Sequence, residues 1–209
     1  MHGVEDLLPR VARSLSRQKI PYMIIGGQAV LFYGSPRLTR DIDITLGIDT
    51  DAIETLFSLI AKMGLRLLPE KAKHFALETK VLPTEDRLSK FRVDFIFSNT
   101  PYERQAIRRA KRVRVKGSIV RFASLEDLII HKIFSGRAVD LEDVKGLLIQ
   151  NKKTNLRYIR RWLREFEKLP GKENCVAVFD RIFKRASRLR SALAAVERRH
   201  GKTFKALAE

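Results

Sequence analysis

The run IIGGQAVLFYGSPRLTRDIDITLGI, residues 24 to 48, constrains the fold more than any other part of the chain. One apolar segment breaks at Gly26-Gly27, and the next carries two carboxylates one residue apart, Asp41 and Asp43. Residues i and i+2 of a strand project from one face. RDIDITLGI therefore reads as a strand with Ile42, Ile44 and Leu46 on one face and Asp41, Asp43 and Thr45 on the other. Two carboxylates so close repel, so a positive group belongs between them. The segment calls for a sheet buried on one face and chemically occupied on the other.

The surrounding pattern supplies the rest of such a sheet. Val4, Leu7, Leu8, Val11 and Leu15 recur at helical spacing, and KIPYMIIGG then turns into a buried strand. QAVLFYG predicts a short helix closed by Gly34. TDAIETLFSLIAKMG predicts another, with Thr50 as N-cap and Gly64 as its stop. LRLLP, HFALETKVL and FRVDFIF read as strands, and RVRVKGSIVRFA as a hairpin around Lys116-Gly117-Ser118. SLEDLIIHKIFSG and DLEDVKGLLIQ read as helices. Beyond Asn151 the chain reads as all-helical, broken at Pro170-Gly171 before a long helix from about residue 175 to 200. The expected class is α+β (α/β-like), a small mixed sheet flanked by helices with a helical C-terminal part. The expected division is residues 1–150 and a basic helical region, 151–209.

Composition narrows the partners. No apolar run approaches the ~18 residues of a membrane span, so no membrane partner is expected. The acid-bearing amphipathic N-terminus resembles neither a secretory signal nor a transit peptide. One cysteine, Cys175, and four scattered histidines exclude a disulfide framework and any Cys-rich zinc site, so a cytoplasmic protein is expected. Lysine and arginine number 42 against 24 acids, a net charge of +18, which points to a polyanionic partner. Residues 151–209 hold 17 basic and 6 acidic side chains. Candidate phosphate-backbone contacts are Arg108, Arg109, Lys111 and Arg112 in the acid-free run 104–117. Others are Arg157, Arg160, Arg161 and Arg164 on one helix and Lys184, Arg185 and Arg188 on the next.

The chemistry centres on the carboxylates. Hard divalent cations take oxygen ligands, commonly one or two carboxylates plus substrate phosphates. Asp94 interrupts the apolar FRVDFIF, where an unpaired carboxylate is costly, and is the third candidate ligand. Shared ligation predicts the three carboxylates about 3 to 6 Å apart. Gly26-Gly27, entering a helix, allows close backbone approach to a phosphate, and Arg37 and Arg40 flank the aspartates to neutralise its oxygens. Plainer roles exist for each. Asp41 and Asp43 could pair with Arg37 and Arg40, Gly26-Gly27 could be an ordinary turn, and Asp94 could pair with Arg92 or Arg40. Lys132 could be a solvated helix residue.

In combination, GG, then GSPRLTRDIDI, then the distant VDF resemble the DNA polymerase beta-type nucleotidyltransferase superfamily. The chain looks most like its prokaryotic minimal and abortive-infection-toxin-like members, which also share the later EDLIIHKIFSGRAVDLEDVKGLL. The resemblance covers roughly residues 20–150. It implies Mg²⁺ (or Mn²⁺) on Asp41 and Asp43, with Asp94 holding a second metal or deprotonating the attacking hydroxyl. It further implies nucleotide contacts from Gly26, Gly27, Arg37, Thr39, Arg40 and Lys132. One departure is Gly27, where the minimal enzymes often carry serine. The implied reaction moves an NMP from an NTP such as ATP to a hydroxyl, with tRNA or other RNA favoured by the charge. The same resemblance extends to a toxin of a toxin–antitoxin system, with an antitoxin protein as partner. The competing reading is a catalytically silent, basic nucleic-acid-binding or toxin–antitoxin component of the same fold.

Overall fold

A computed structural model describes the backbone of residues 3–98 and 100–207, and their side chains up to residue 199. It divides into two compact units, residues 1–32 with 36–124, and residues 33–35 with 125–209. The helices that follow Ser124 pack with the C-terminal helices.

The first unit is built on a seven-stranded mixed sheet. Helix α1 (Val4–Arg17) buries Leu7, Leu8, Val11, Ala12 and Leu15. Strand β1 (Tyr22–Ile25) runs into α2 (Gly26–Phe32), and β2 (Asp41–Leu46) follows. A 3₁₀ turn at Thr50–Ala52 leads into α3 (Ile53–Lys62), and β3 spans Leu65–Leu67. Helix α4 (Ala72–Thr79), β4 (Val81–Asp86), β5 (Arg92–Phe97) and α5 (Pro101–Arg109) come next. Strands β6 (Lys111–Val115) and β7 (Ser118–Phe122) close the unit. The strand order is β3-β4-β5-β2-β1-β7-β6, with β2·β5 and β1·β7 parallel and the other pairs antiparallel. Ile42, Ile44, Val93 and Phe95 are fully buried.

Two local expectations are corrected. HFALETKVL is a strand only at its end, since residues 72–79 form α4. Ala72 and Ala76 lie one turn apart and are buried, so helical spacing prevails until Lys80, at φ +58, turns the chain into β4. Thr50 is buried and does not cap. Asp49 does so instead, its side chain accepting the Thr50 N–H at 2.6 Å. The hairpin follows the sequence, with Lys116 (φ +42) and Gly117 (φ +75) alone between the paired Val115 and Ser118.

The second unit consists of α6 (Leu125–Ser135), α7 (Ala138–Gln150), α8 (Leu156–Phe166) and α9 (Cys175–Leu207). Asn155 caps α8 by accepting the Tyr158 N–H at 3.0 Å. Leu128, Ile129, Leu147, Ile159, Leu163 and Phe179 are fully buried. Trp162 packs against Phe166 in a tilted arrangement, with ring centroids 6.2 Å apart. No helix of the described residues is long and apolar enough to cross a membrane.

Candidate active site

Alternation in two neighbouring strands puts the acids on one face of the sheet. Along β2, Ile42, Ile44 and Leu46 are fully buried, while Asp41 and Asp43 are half-buried on the opposite face. Along β5, Val93 and Phe95 point with the isoleucines, and Arg92 and Asp94 point with the aspartates. The parallel register sets Arg92 beside Asp41 and Asp94 beside Asp43. On the other side of β2, the antiparallel register sets Ile25 beside Asp43, so the chain enters Gly26 at this carboxylate.

That juxtaposition explains the double glycine. Gly26 has φ +64, a left-handed conformation that L side chains rarely adopt. A Cβ there would lie 1.8 Å from Asp43 Oδ2, so the missing side chain is the space the carboxylate occupies. A Cβ on Gly27 would lie 2.4 Å from Thr39 Oγ1 and 2.7 Å from its Cβ. The Thr39 hydroxyl donates to the Asp41 carboxylate. The Thr39 side chain fills the position that a side chain at residue 27 would take. Gln28 completes the turn, its side-chain amide donating to the Asp41 carbonyl at 3.3 Å.

A positive group among the acids is Arg92. Its Nε donates to Asp94 Oδ1 at 2.7 Å. That hydrogen bond, and the charges of Asp94, Asp41 and Asp43 behind it, raise the guanidinium's pKa above its ordinary value. Sequence reasoning assigned Arg37 and Arg40 to phosphate oxygens and named Arg92 only as an alternative partner of Asp94. The signal for it was its position two residues before Asp94 in the same strand, hence on the same face. Arg40 is exposed, and its carbonyl accepts the Arg92 N–H at 3.4 Å. Arg37 is half-buried.

Among the described residues, no three acidic, imidazole or thiolate side chains are gathered closely enough to hold one metal ion. The Asp94 carboxylate is drawn to Arg92, and that of Asp41 is held by Thr39. The donor set is nevertheless that of a hard cation, three carboxylates on one face of adjacent strands. The space left open by Gly26 is filled by an Asp43 carboxylate oxygen.

The remaining candidates lie elsewhere. Lys132 belongs to the second unit and is buried rather than solvated, its ammonium 2.7 Å from Asp140 and 2.8 Å from Asp143. Asp140 also accepts from Arg137 Nε at 2.6 Å and from Ser135 at 2.7 Å. Of the expected phosphate contacts, Arg108, Lys111 and Arg112 are exposed and Arg109 is half-buried. Lys111 is opposite Phe122 and Arg112 opposite Arg121, so the basic run divides between the two faces of the hairpin. Arg157, Arg161, Arg164, Lys184, Arg185 and Arg188 are exposed. Arg160 is committed to α9, paired with Asp180 at 2.9 Å and stacked 5.9 Å from the Phe179 ring.

Comparison with known proteins bears on this arrangement. An antigenic nucleotidyltransferase-like protein from Paracoccidioides brasiliensis has a similar structure, with 16% identity and a TM-score of 0.52 over 83% of this chain and 92% of that one. The lincosamide antibiotic adenylyltransferase LnuA, solved with lincomycin bound, is similar at 15% identity and a TM-score of 0.50, over 70% of this chain and 98% of that one. At such identities the likeness is one of fold. No curated protein sequence matches the chain. The family model described as "Nucleotidyltransferase of unknown function (DUF6036)" matches residues 6–174, which takes in every strand, the glycine turn and all three aspartates. On that span, the chain belongs to this family of nucleotidyltransferases.

Proposed function

We propose that the protein transfers a nucleoside monophosphate from an NTP to a hydroxyl group of RNA, with Mg²⁺ or Mn²⁺ bound by Asp41, Asp43 and Asp94. The observation that carries this reading is the Asp43–Asp94 register beside a Gly26 whose Cβ position is filled by a carboxylate oxygen. A bound divalent ion would neutralise triphosphate charge and polarise the reacting phosphoryl group. The Gly26-Gly27 backbone would approach the β- and γ-phosphates, and Arg37 and Arg40 would pair with their oxygens. The acceptor oxygen bonds to the α-phosphorus, the α–β phosphoanhydride bond breaks, pyrophosphate leaves, and Asp94 takes the hydroxyl proton. Arg92, hydrogen-bonded to Asp94, orients that carboxylate. Lys132, already bound by two acids, stiffens the second unit in this reading and is not assigned a nucleotide contact.

RNA as acceptor rests on the net charge of +18, which an acceptor of positive charge would not favour. The competing reading, a silent nucleic-acid-binding protein, draws on the engagement of Asp94 by Arg92. The deciding experiment incubates the protein with each α-³²P-labelled NTP, Mg²⁺ or Mn²⁺, and tRNA or total RNA. Label on RNA, lost in Asp43→Asn, is the expected result. Label on the protein itself would exclude RNA as the acceptor, and no label with any NTP or metal would leave the silent reading.

A further inference from the structure

Away from the aspartates, α1 and the β6–β7 hairpin enclose a cavity of about 410 Å³ lined by Arg13, Arg17, Arg112 and Arg121, with Ser16 and Ser118 between them. Two separate geometries converge here. Arg13 and Arg17 are one helical turn apart and share one side of α1. Arg112 and Arg121 are direct cross-strand partners in the hairpin. Like charges directly opposite on neighbouring strands are destabilising, as are like charges at i and i+4 of a helix. The fold accepts both pairs at one place.

No acidic side chain lines the cavity. Asp6 and Glu5 of α1 lie 2.7 and 3.7 Å from Lys116, and Asp86 is paired with Arg10. Two of the four guanidinium groups are already positioned. Arg13 Nη1 donates to Ser118 Oγ at 2.7 Å, and Arg121 sits 6.0 Å from the centre of the Tyr22 ring. Arg17 and Arg112 have no carboxylate partner among the described residues. At about 30 Å³ per water, the cavity has room for more than a lone phosphate ion. Its lining includes no aromatic side chain on which a base could stack.

We propose that this cavity holds the phosphodiester backbone of an RNA strand, each arginine fork pairing with phosphate oxygens and no base being read. The choice of RNA rests on the transferase reading, whereas the existence of the site does not. Four guanidiniums, two hydroxyl groups and no acid or aromatic make a sequence-independent phosphate contact.

The test is fluorescence anisotropy of a labelled uridine oligomer of about 20 nucleotides, long enough to span the site. It is run without NTP across a salt series, in the Asp43→Asn background, so a failed transferase reading leaves it interpretable. Arg13→Gln/Arg17→Gln and Arg112→Gln/Arg121→Gln are made separately and together. A variant with Lys62, Lys71, Arg87 and Lys90 changed to Gln removes the same charge elsewhere. Each pair should weaken binding, and the combination should weaken it at least tenfold. The slope of log affinity against log salt should become shallower by about 0.7 for each phosphate that is no longer neutralised. The charge-matched control should leave the slope near its original value. Measuring each pair alone keeps the result readable if the combined variant does not fold. Affinity and slope equal to the control's would overturn the proposal. So would loss of inorganic phosphate or ATP binding with RNA affinity unchanged, which would make the cavity a small-anion site.

Discussion

At the scale of single residues, the candidate site is a problem of space and charge solved by Gly26, Asp43 and Arg92. Gly26→Ala meets two obstacles, a left-handed backbone costing roughly 1–2 kcal/mol and a carboxylate oxygen 1.8 Å from the new Cβ. Gly34→Ala is the control, because Gly34 has φ +81 but open space around a Cβ. Both variants should lower the urea midpoint by a similar backbone contribution. Only Gly26→Ala should also abolish NMP transfer, by displacing Asp43. Equal transfer in the two variants would remove Gly26 from the site. Asp41→Asn and Asp43→Asn should each reduce transfer by about 100-fold or more, the worth of several kcal/mol of transition-state stabilisation. Their thermal stability should hold or rise, because each removes one of two neighbouring like charges. A drop in melting temperature in step with the drop in transfer would make these acids structural.

At the scale of elements, α6 and α7 carry a buried charge network whose pH dependence can be worked out. Burial pushes the Asp140 carboxyl up, but hydrogen bonds from Arg137, Lys132 and Ser135 outweigh it and hold the group at about 2. A folded pKa below the unfolded one gives stability that is complete above about pH 4 and is lost as pH falls toward 2. Burial pushes the His131 imidazole down to about 4, with Lys132 adding to the shift and Asp127 opposing it. Neutral in the fold and protonated when unfolded, it contributes stability present above pH 6.5 and lost between 6.5 and 4. Urea unfolding followed by circular dichroism should therefore show two acid limbs. His131→Gln should flatten the upper limb alone, and an unchanged upper limb would mean the imidazole is not buried neutral. Lys132→Met removes the buried ammonium shared by Asp140 and Asp143 and should cost up to about 3–5 kcal/mol, less to the extent that Arg137 and Ser135 still hold Asp140. Strand alternation around Asp41 and the Lys116-Gly117 hairpin were legible in the sequence, because both depend on residues a few positions apart. Lys132 was not, since its carboxylates come from the next helix and a lysine by itself reads as solvated. Nor was the place of Arg92, because only the parallel β2·β5 register brings a strand some fifty residues downstream against Asp41. Helix α4 was missed because Ala72 and Ala76 are weak apolar markers beside the β-like HFALETKVL.

At the scale of the whole molecule, the basic charge is shared. The first unit holds 22 basic and 13 acidic residues, the second 20 and 11, so each carries +9. A polyanion therefore has reason to touch both, and the question is which side chains on α8 remain available to it. Arg157, Arg160, Arg161 and Arg164 look equivalent in sequence, yet Arg160 is tied to Asp180 and Phe179 of α9. Reversing all four to Glu would confuse weakened RNA binding with a broken helix–helix pairing. The informative variant reverses Arg157, Arg161 and Arg164 alone, which are exposed. If the helical unit holds RNA, affinity should fall and the salt slope should shrink by about 0.7 per phosphate, roughly 2 for three. NTP binding at the glycine turn should stay unchanged. Arg160→Gln should do the converse, leaving the slope intact and costing up to about 1 kcal/mol of stability, as a partly exposed ion pair does. Should the triple reversal leave both affinity and slope untouched, the positive face of α8 is solvated surface. RNA would then have to be held by the first unit alone, through the arginines between α1 and the hairpin.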